Sequence, residues 1–146
     1  MINNFDPKKH KIYNPINRKK YVGKSNPICR SSWEYAFCKY LDFNPNVIEW
    51  SSESLAIKYM FLGKPKTYYP DFIVKMNSNK GVYTWVIDVK PYKETIPPKI
   101  NNRKSRKTKL YEEHTWQKNK QKWKYASAYC KKFGYKFTIL TEKELF

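Results

Sequence analysis

Acidic residues are scarce in this chain: 12 Asp and Glu stand against 30 Lys and Arg in 146 residues, a formal net charge of +18. A field of that size repels itself and favours a polyanion as partner, nucleic acid before all else. Long apolar runs are missing. No segment approaches the roughly 18 apolar residues of a spanning helix, and no basic amphipathic helix stands out as a membrane-surface element. The opening Met1-Ile-Asn-Asn-Phe-Asp6 lacks an apolar stretch, so no secretory signal is expected. Cysteine is limited to Cys29, Cys38 and Cys130, an odd number without metal-ligand spacing. That pattern argues against a disulfide framework or a zinc site and predicts free thiols in a reducing compartment. The two histidines, His10 and His114, have no nearby Cys, Ser or second His with which to form a dyad.

What is plentiful is aromatic: 5 Trp, 13 Tyr and 8 Phe within a 40% apolar composition, enough for one well-filled core. Residues 1–30 carry eight Lys/Arg against one acid, with Pro7, Pro15 and Pro27 and no period. They read as an extended basic arm preceding a single domain over residues 31–146. In Ser31–Asp42, Trp33, Ala36, Phe37, Tyr40 and Leu41 form one helical stripe behind a serine cap, and Asn44-Pro45-Asn46 ends the helix. Short strands are expected at Val47–Trp50 and Leu55–Leu62. After a turn at Gly63-Lys-Pro65 come a third strand, Tyr68–Val74, a hairpin turn at Asn77–Gly81 and a fourth strand, Val82–Lys90. A basic loop spans residues 95–110, with six Lys/Arg and no acid between Lys99 and Lys109. A second helix is expected over residues 112–133, stopped by Gly134, then a strand Tyr135–Leu140 and a short final helix. A helix, three or four strands, a helix and a strand (α-β-β-β-α-β with three) describe an α/β fold with a mixed sheet flanked by helices.

The chemistry concentrates at Asp88-Val89-Lys90. Strand alternation sends Asp88 and Lys90 to one face, Ile87 and Val89 to the other. A carboxylate and an ammonium so placed suit metal-assisted attack on a phosphodiester: the carboxylate holds the cation, and the lysine meets the water or the developing charge. Upstream, Pro70-Asp71 opens a strand with a second acid. On the first helix Glu34 lies about 100° from Trp33, at the edge of the apolar stripe, where a carboxylate can lean toward the sheet. Glu34, Asp71 and Asp88 could thus converge on one or two cations, and an all-oxygen set suits Mg²⁺, with Mn²⁺ as substitute. Each has a plainer alternative: a surface helix residue, a turn former after Pro70, and an ion pair with Lys90 at a strand end.

On the second helix Asn119 shares the side of Trp116 and Trp123 and faces inward, either tying helix to sheet or touching water or phosphate at the metal. Lys120, Lys124 and Lys131 flank that stripe and could follow a DNA backbone. Charge alone adds Lys19, Lys20 and Arg30 from the arm, and Arg103, Lys104, Arg106 and Lys107 from the basic loop, as DNA contacts. Tyr68 and Tyr69 are the pair considered for base contact.

Pro70-Asp71, a spacer, then Asp88-Val-Lys90 resembles the signature of the PD-(D/E)xK nucleases. Beyond that signature, residues 21 to 145 resemble the head completion nucleases of T-even-type tailed phages. The matching segments are Arg30-Ser-Ser-Trp-Glu34, Asn44–Trp50, Ser52-Glu53, Asp71-Phe72, Asp88-Val-Lys-Pro91, Lys93–Pro98, Thr115-Trp116, Asn119, Lys122-Trp123 and Gly134–Glu142. The resemblance implies a restriction-endonuclease-like core and a metal-dependent DNA endonuclease. Glu34, Asp71, Asp88 and Lys90 would be its catalytic positions, the three acids its metal ligands, and Asn119 and Lys122 auxiliary groups. It further implies double-stranded or branched DNA as substrate, processing of packaged DNA ends, and portal or neck proteins as partners. The place of action would be the host cytoplasm and the virion neck. Two alternatives stay open: a non-catalytic DNA-end-binding neck protein, and a junction-resolving or transposon-end nuclease on the same fold.

Overall fold

The computed structural model describes residues 10–145, so the first nine residues of the basic arm lie outside the described part. Along the chain run β1 (Lys11–Ile12), β2 (Ile28–Cys29), α1 (Ser32–Phe43), β3 (Val47–Ser52), β4 (Ile57–Phe61) and β5 (Lys64–Tyr68). There follow β6 (Phe72–Ser78), β7 (Gly81–Val89), a short 3-10 turn at Tyr92–Thr95, α2 (Arg106–Phe133), β8 (Lys136–Leu140) and α3 (Glu142–Leu145). No helix among them is long and apolar enough to cross a membrane.

The central sheet has four strands in the order β3-β6-β7-β8. The first two pairings are antiparallel and β7 with β8 is parallel, which makes a mixed α/β sheet. Omitting the hairpin β4-β5, the core reads α1-β3-β6-β7-α2-β8, the expected α-β-β-β-α-β order. Alternation sorts the side chains into two apolar clusters. Ile87 and Val89 of β7 join Trp50, Phe72 and Val74 against Phe37, Cys38 and Leu41 of α1. The second cluster sets Ile57, Tyr59, Phe61 and Tyr68 of the hairpin against Ala126 of α2, with Phe137 of β8 packed on them. Full burial of each such large apolar side chain is worth about 1.5–3 kcal/mol, so the two clusters hold both helices to the sheet. The three cysteines are free thiols and buried.

Three elements depart from the sequence-based expectation. Tyr68–Val74 is not one strand: β5 ends at Tyr68 and β6 begins at Phe72, because Pro70 has no N–H for a ladder and the chain changes sheets there. The turn expected at Gly63–Pro65 is the tighter pair Leu62-Gly63, with φ of 52° and 75°. Positive φ at both central residues marks the mirror-type hairpin turn that matches strand twist. Lys64 and Pro65 then belong to β5, which pairs only with β4 and so tolerates proline. Helix α2 begins at Arg106, not at 112. Ser105 Oγ accepts the N–H of Thr108 at 3.1 Å, and no Gly or Pro interrupts the basic residues behind it. The helix closes as expected on Gly134, at φ 74°.

Residues 11–29 lie against the domain. Lys20 and Val22 exchange main-chain hydrogen bonds with Trp50 at 2.9 and 3.0 Å. The buried Asp42 carboxylate accepts from Tyr13 Oη at 2.5 Å, Ile16 N at 2.8 Å and Asn17 N at 2.9 Å. Lys20 Nζ donates to the carbonyls of Leu41, Asp42 and Asn44 at 3.3, 3.0 and 2.6 Å, placing a cation on the C-terminal end of α1.

Candidate active site

Strand β7 delivers its single acid, Asp88, to the α2 side of the sheet while Ile87 and Val89 hold the other side. Asp88 is 2% exposed, and its Oδ2 has no hydrogen-bond partner among the described residues. Lys90 Nζ stands 3.8 Å from that oxygen, too long for a hydrogen bond and close enough for strong attraction. Asp71 sits one residue before the Phe72–Ile87 pair of the β6–β7 ladder, and its Oδ2 accepts the N–H of Val89 at 2.7 Å. The ladder register therefore sets two carboxylates side by side from adjacent strands.

The electrostatics follow from that placement. Burial, then the charge of Asp88, then Glu34 push the Asp71 carboxyl well above the usual carboxylate range. Burial alone would pull the Lys90 ammonium down, but Asp88, Asp71, Glu94 and Glu34 outweigh it and raise the pKa, so Lys90 is a cation. Glu34 comes from the first turn of α1. Ser31 Oγ accepts its N–H at 3.1 Å, and its carboxylate accepts the N–H of Arg30 at 2.9 Å. That pair of bonds caps the helix and aims the carboxylate. Burial and Glu53 push the Glu34 carboxyl up, while the Arg30 N–H, the Arg30 charge and Lys90 draw it back. Glu34 thus acts on Asp71 and Lys90 through charge. Among the described residues no group of three or more His, Cys, Asp or Glu side chains is gathered closely enough to hold a metal ion, and Asp71 and Asp88 are the two acids set side by side.

The donor set nevertheless fits a hard divalent cation. The Asp88 oxygen without a partner and the adjacent Asp71 carboxyl are all-oxygen donors, and a bound cation would relieve their mutual repulsion. Across the site α2 contributes Asn119, 5% exposed, and Lys122 one turn further on. Burial, Lys90 and Lys118 lower the Lys122 pKa, and its Nζ lies 5.5 Å above the Tyr68 ring.

Residues 44–142 match the family described as TnsA-like endonuclease N terminal, a span holding Asp71, Asp88, Lys90, Asn119 and Lys122. The chain belongs to the TnsA-like endonuclease family. Over 137 residues it is 39% identical to the head completion nuclease of Enterobacteria phage T4, a match covering 90% of this chain and 89% of that relative.

The basic residues chosen by charge are scattered. Lys19, Lys124, Arg103, Arg106 and Lys107 are exposed, and Lys120 Nζ lies 5.5 Å from the Trp116 ring. Three carry intramolecular duties: Lys20 on the end of α1, Arg30 in an ion pair with Glu53, and Lys104 with Glu112 at 2.7 Å. Two residues take places here that sequence reasoning did not assign to them. Tyr68 is 5% exposed, which rules out base contact. Burial, then Asp88, push its pKa up, yet neither Tyr68 Oη nor Asp88 Oδ2 has a hydrogen-bond partner among the described residues. Glu53 adopts φ 51°, uncommon for a residue with a Cβ, and its N–H donates to Asp71 O at 3.0 Å. The sequence offers no sign of either role, since both depend on how β5 and β3 meet β6.

Proposed function

We propose that this chain is a divalent-cation-dependent DNA endonuclease of the PD-(D/E)xK type that processes packaged DNA ends during phage head completion. The observation that carries the chemistry is the buried Asp88 oxygen without a partner, beside Asp71 and 3.8 Å from the Lys90 ammonium. Asp71 and Asp88 would hold the cation, with Glu34 behind them as a further oxygen donor. When bound, Mg²⁺ or Mn²⁺ supplies Lewis-acid polarisation of the phosphate and a lowered pKa for the attacking water. Lys90, a cation, sits where negative charge grows on the non-bridging oxygens and stabilises it. Water oxygen bonds to phosphorus and gives up a proton to solvent, one bridging P–O bond breaks, and the leaving alkoxide takes a proton back from solvent. Asn119 and Lys122 line the α2 side and steady the phosphate. The net charge of +18 supports backbone contacts without sequence preference.

The role in head completion draws on the T4 relative, which matches nearly the whole chain. A second reading, the same chemistry at a transposon or junction end, draws on the family description. Plasmid, linear and branched DNA incubated with Mg²⁺ or Mn²⁺ would separate these, with EDTA and Asp88→Asn as controls. Metal-dependent cutting that the variant loses is expected. DNA binding without cutting by the wild type would replace the enzyme with a DNA-end-binding neck component, and cutting confined to branched substrates would favour the junction reading.

A further inference from the structure

Glu34 and Asp71 come from different elements, the first turn of α1 and the residue before β6. Three hydrogen bonds in series nevertheless connect them. The main-chain N–H of Arg30 donates to Glu34 Oε2 at 2.9 Å, Arg30 Nη1 donates to Glu53 Oε1, and the main-chain N–H of Glu53 donates to Asp71 O at 3.0 Å. Resting on the nuclease reading above, we infer that the Arg30–Glu53 pair is a positioning clamp, which fixes the Glu34 carboxylate relative to Asp71 and so sets the cation site. Both residues act through Glu34 and neither touches substrate in this role.

The local backbone is built around that contact. Ser52 pairs with Phe72 at the end of the β3–β6 ladder, and Glu53 is the next residue. Its φ of 51° ends the alternation of the strand in a region that a residue with a Cβ seldom adopts. The bond to Asp71 O holds that conformation while the side chain meets Arg30. Arg30 lies between β2 and the Ser31 cap of α1, so holding its side chain also holds the N–H that Glu34 accepts. Among the described residues the three acids are not gathered into one ligand group, so the place of Glu34 depends on what holds it from behind.

Folding gains little from the pair. The Arg30 and Glu53 side chains are 48% and 32% exposed, and ion pairs so open to water add little to stability. Groups that orient a metal ligand from behind are different: their removal typically costs about 10- to 100-fold in metal affinity or activity. Arg30 also sets one cation against two acids, and without it Glu34 and Glu53 repel each other.

The test is Mn²⁺ binding to the DNA-free protein, read from the electron paramagnetic resonance signal of unbound Mn²⁺. Glu53→Ala and Arg30→Ala spare the main-chain bonds to Asp71 and Glu34, and urea unfolding checks that both variants fold. Each is expected to weaken Mn²⁺ binding about tenfold or more, with an unfolding midpoint close to that of the wild type. The exchanged pair, Arg30→Glu with Glu53→Arg, restores the contact and should recover most of the affinity. In a Glu34→Gln background Glu53→Ala should have little further effect, because the carboxylate that the clamp positions is gone. Full additivity of those two changes, or wild-type Mn²⁺ affinity in both alanine variants, would overturn the inference. Weaker DNA binding with unaltered Mn²⁺ affinity would also overturn it and make Arg30 a phosphate contact. Asp88→Asn distinguishes the clamp from the nuclease reading beneath it. Mn²⁺ binding lost in Asp88→Asn but untouched in the alanine variants would remove the clamp and keep the cation site. Equal Mn²⁺ binding by Asp88→Asn and the wild type would remove the cation site and the clamp with it.

Discussion

Replacing Asp88 by Asn should abolish cleavage and at the same time stabilise the cation-free protein. The site holds two adjacent carboxyls and one close ammonium, and their crowding keeps the Asp71 proton to higher pH than an ordinary carboxyl. At 3.8 Å the Lys90–Asp88 attraction is about 4 kcal/mol at an effective dielectric constant near 20. Removing a carboxylate that is 2% exposed recovers several kcal/mol of desolvation and ends its repulsion of Asp71. Asp71, relieved, can then ionise and take over Lys90, so one ion pair survives. The expected net gain is about 1–2 kcal/mol, read as a rise in Tm of about 3–8 °C. The pH dependence follows from Asp71. Its folded pKa lies above the unfolded value of about 3.9, so the folded state binds the extra proton. Wild-type stability in EDTA should fall as pH rises from about 4 toward the folded pKa, by at most about 1.4 kcal/mol per unit for one proton. Asp88→Asn should flatten that slope, and Mg²⁺ should narrow the gap by stabilising only the wild type. The assay is urea unfolding from pH 4 to 8, with and without Mg²⁺. A variant less stable than wild type in EDTA, with the slope unchanged, would refute the reasoning.

Tyr68→Phe removes a hydroxyl without a hydrogen-bond partner, so stability in urea unfolding should change by less than about 1 kcal/mol, and a larger loss would show that the hydroxyl is bonded. Lys90→Ala should lower the single-turnover rate by about 10²-fold or more with DNA affinity little changed, and an unaltered rate would remove Lys90 from the chemistry. Burial raises the Asp42 pKa, but the bonds from Tyr13, Ile16 and Asn17 outweigh it and hold the carboxyl low. Its stability contribution is therefore complete above the unfolded value of about 3.9 and lost as pH falls through the lower folded value. Tyr13→Phe should cost about 2 kcal/mol at pH 7 and move acid unfolding to higher pH, and identical acid transitions in the two proteins would exclude that role. Neutralising Arg103, Lys104, Arg106 and Lys107 should reduce the salt slope of duplex binding by about 0.9 for each phosphate that this segment neutralises; an unchanged slope would exclude the segment from the DNA interface.

Local pattern is legible as far as local physics reaches. The serine cap at Ser31, the glycine stop at Gly134 and the strand over Val82–Val89 are dictated within a few residues, and the structure has all three. Side-chain alternation also puts Asp88 and Lys90 on the face opposite Ile87 and Val89 without help from any tertiary contact. The break at Pro70 is not legible in this way, because a strand's membership in a sheet depends on its partner. Tyr68 pairs with Ile57, whereas Phe72 pairs with Ile87 and Ser52.

The sequence by itself determined the net charge of +18, the order of core elements and the chemical types at the site. Those follow from composition and from periods of 3.6 and 2 residues, which need no distant partner. Tertiary structure alone decided which charges stay available. Lys20, Arg30 and Lys104 look like free cations in a basic sequence, yet each meets a partner at least eight residues away along the chain. It also decided that Asp71 stands beside Asp88, that Tyr68 is buried against them, and that the Glu34 charge acts on Asp71. Burial and ladder register create these relations, and both depend on chain closure over long separations.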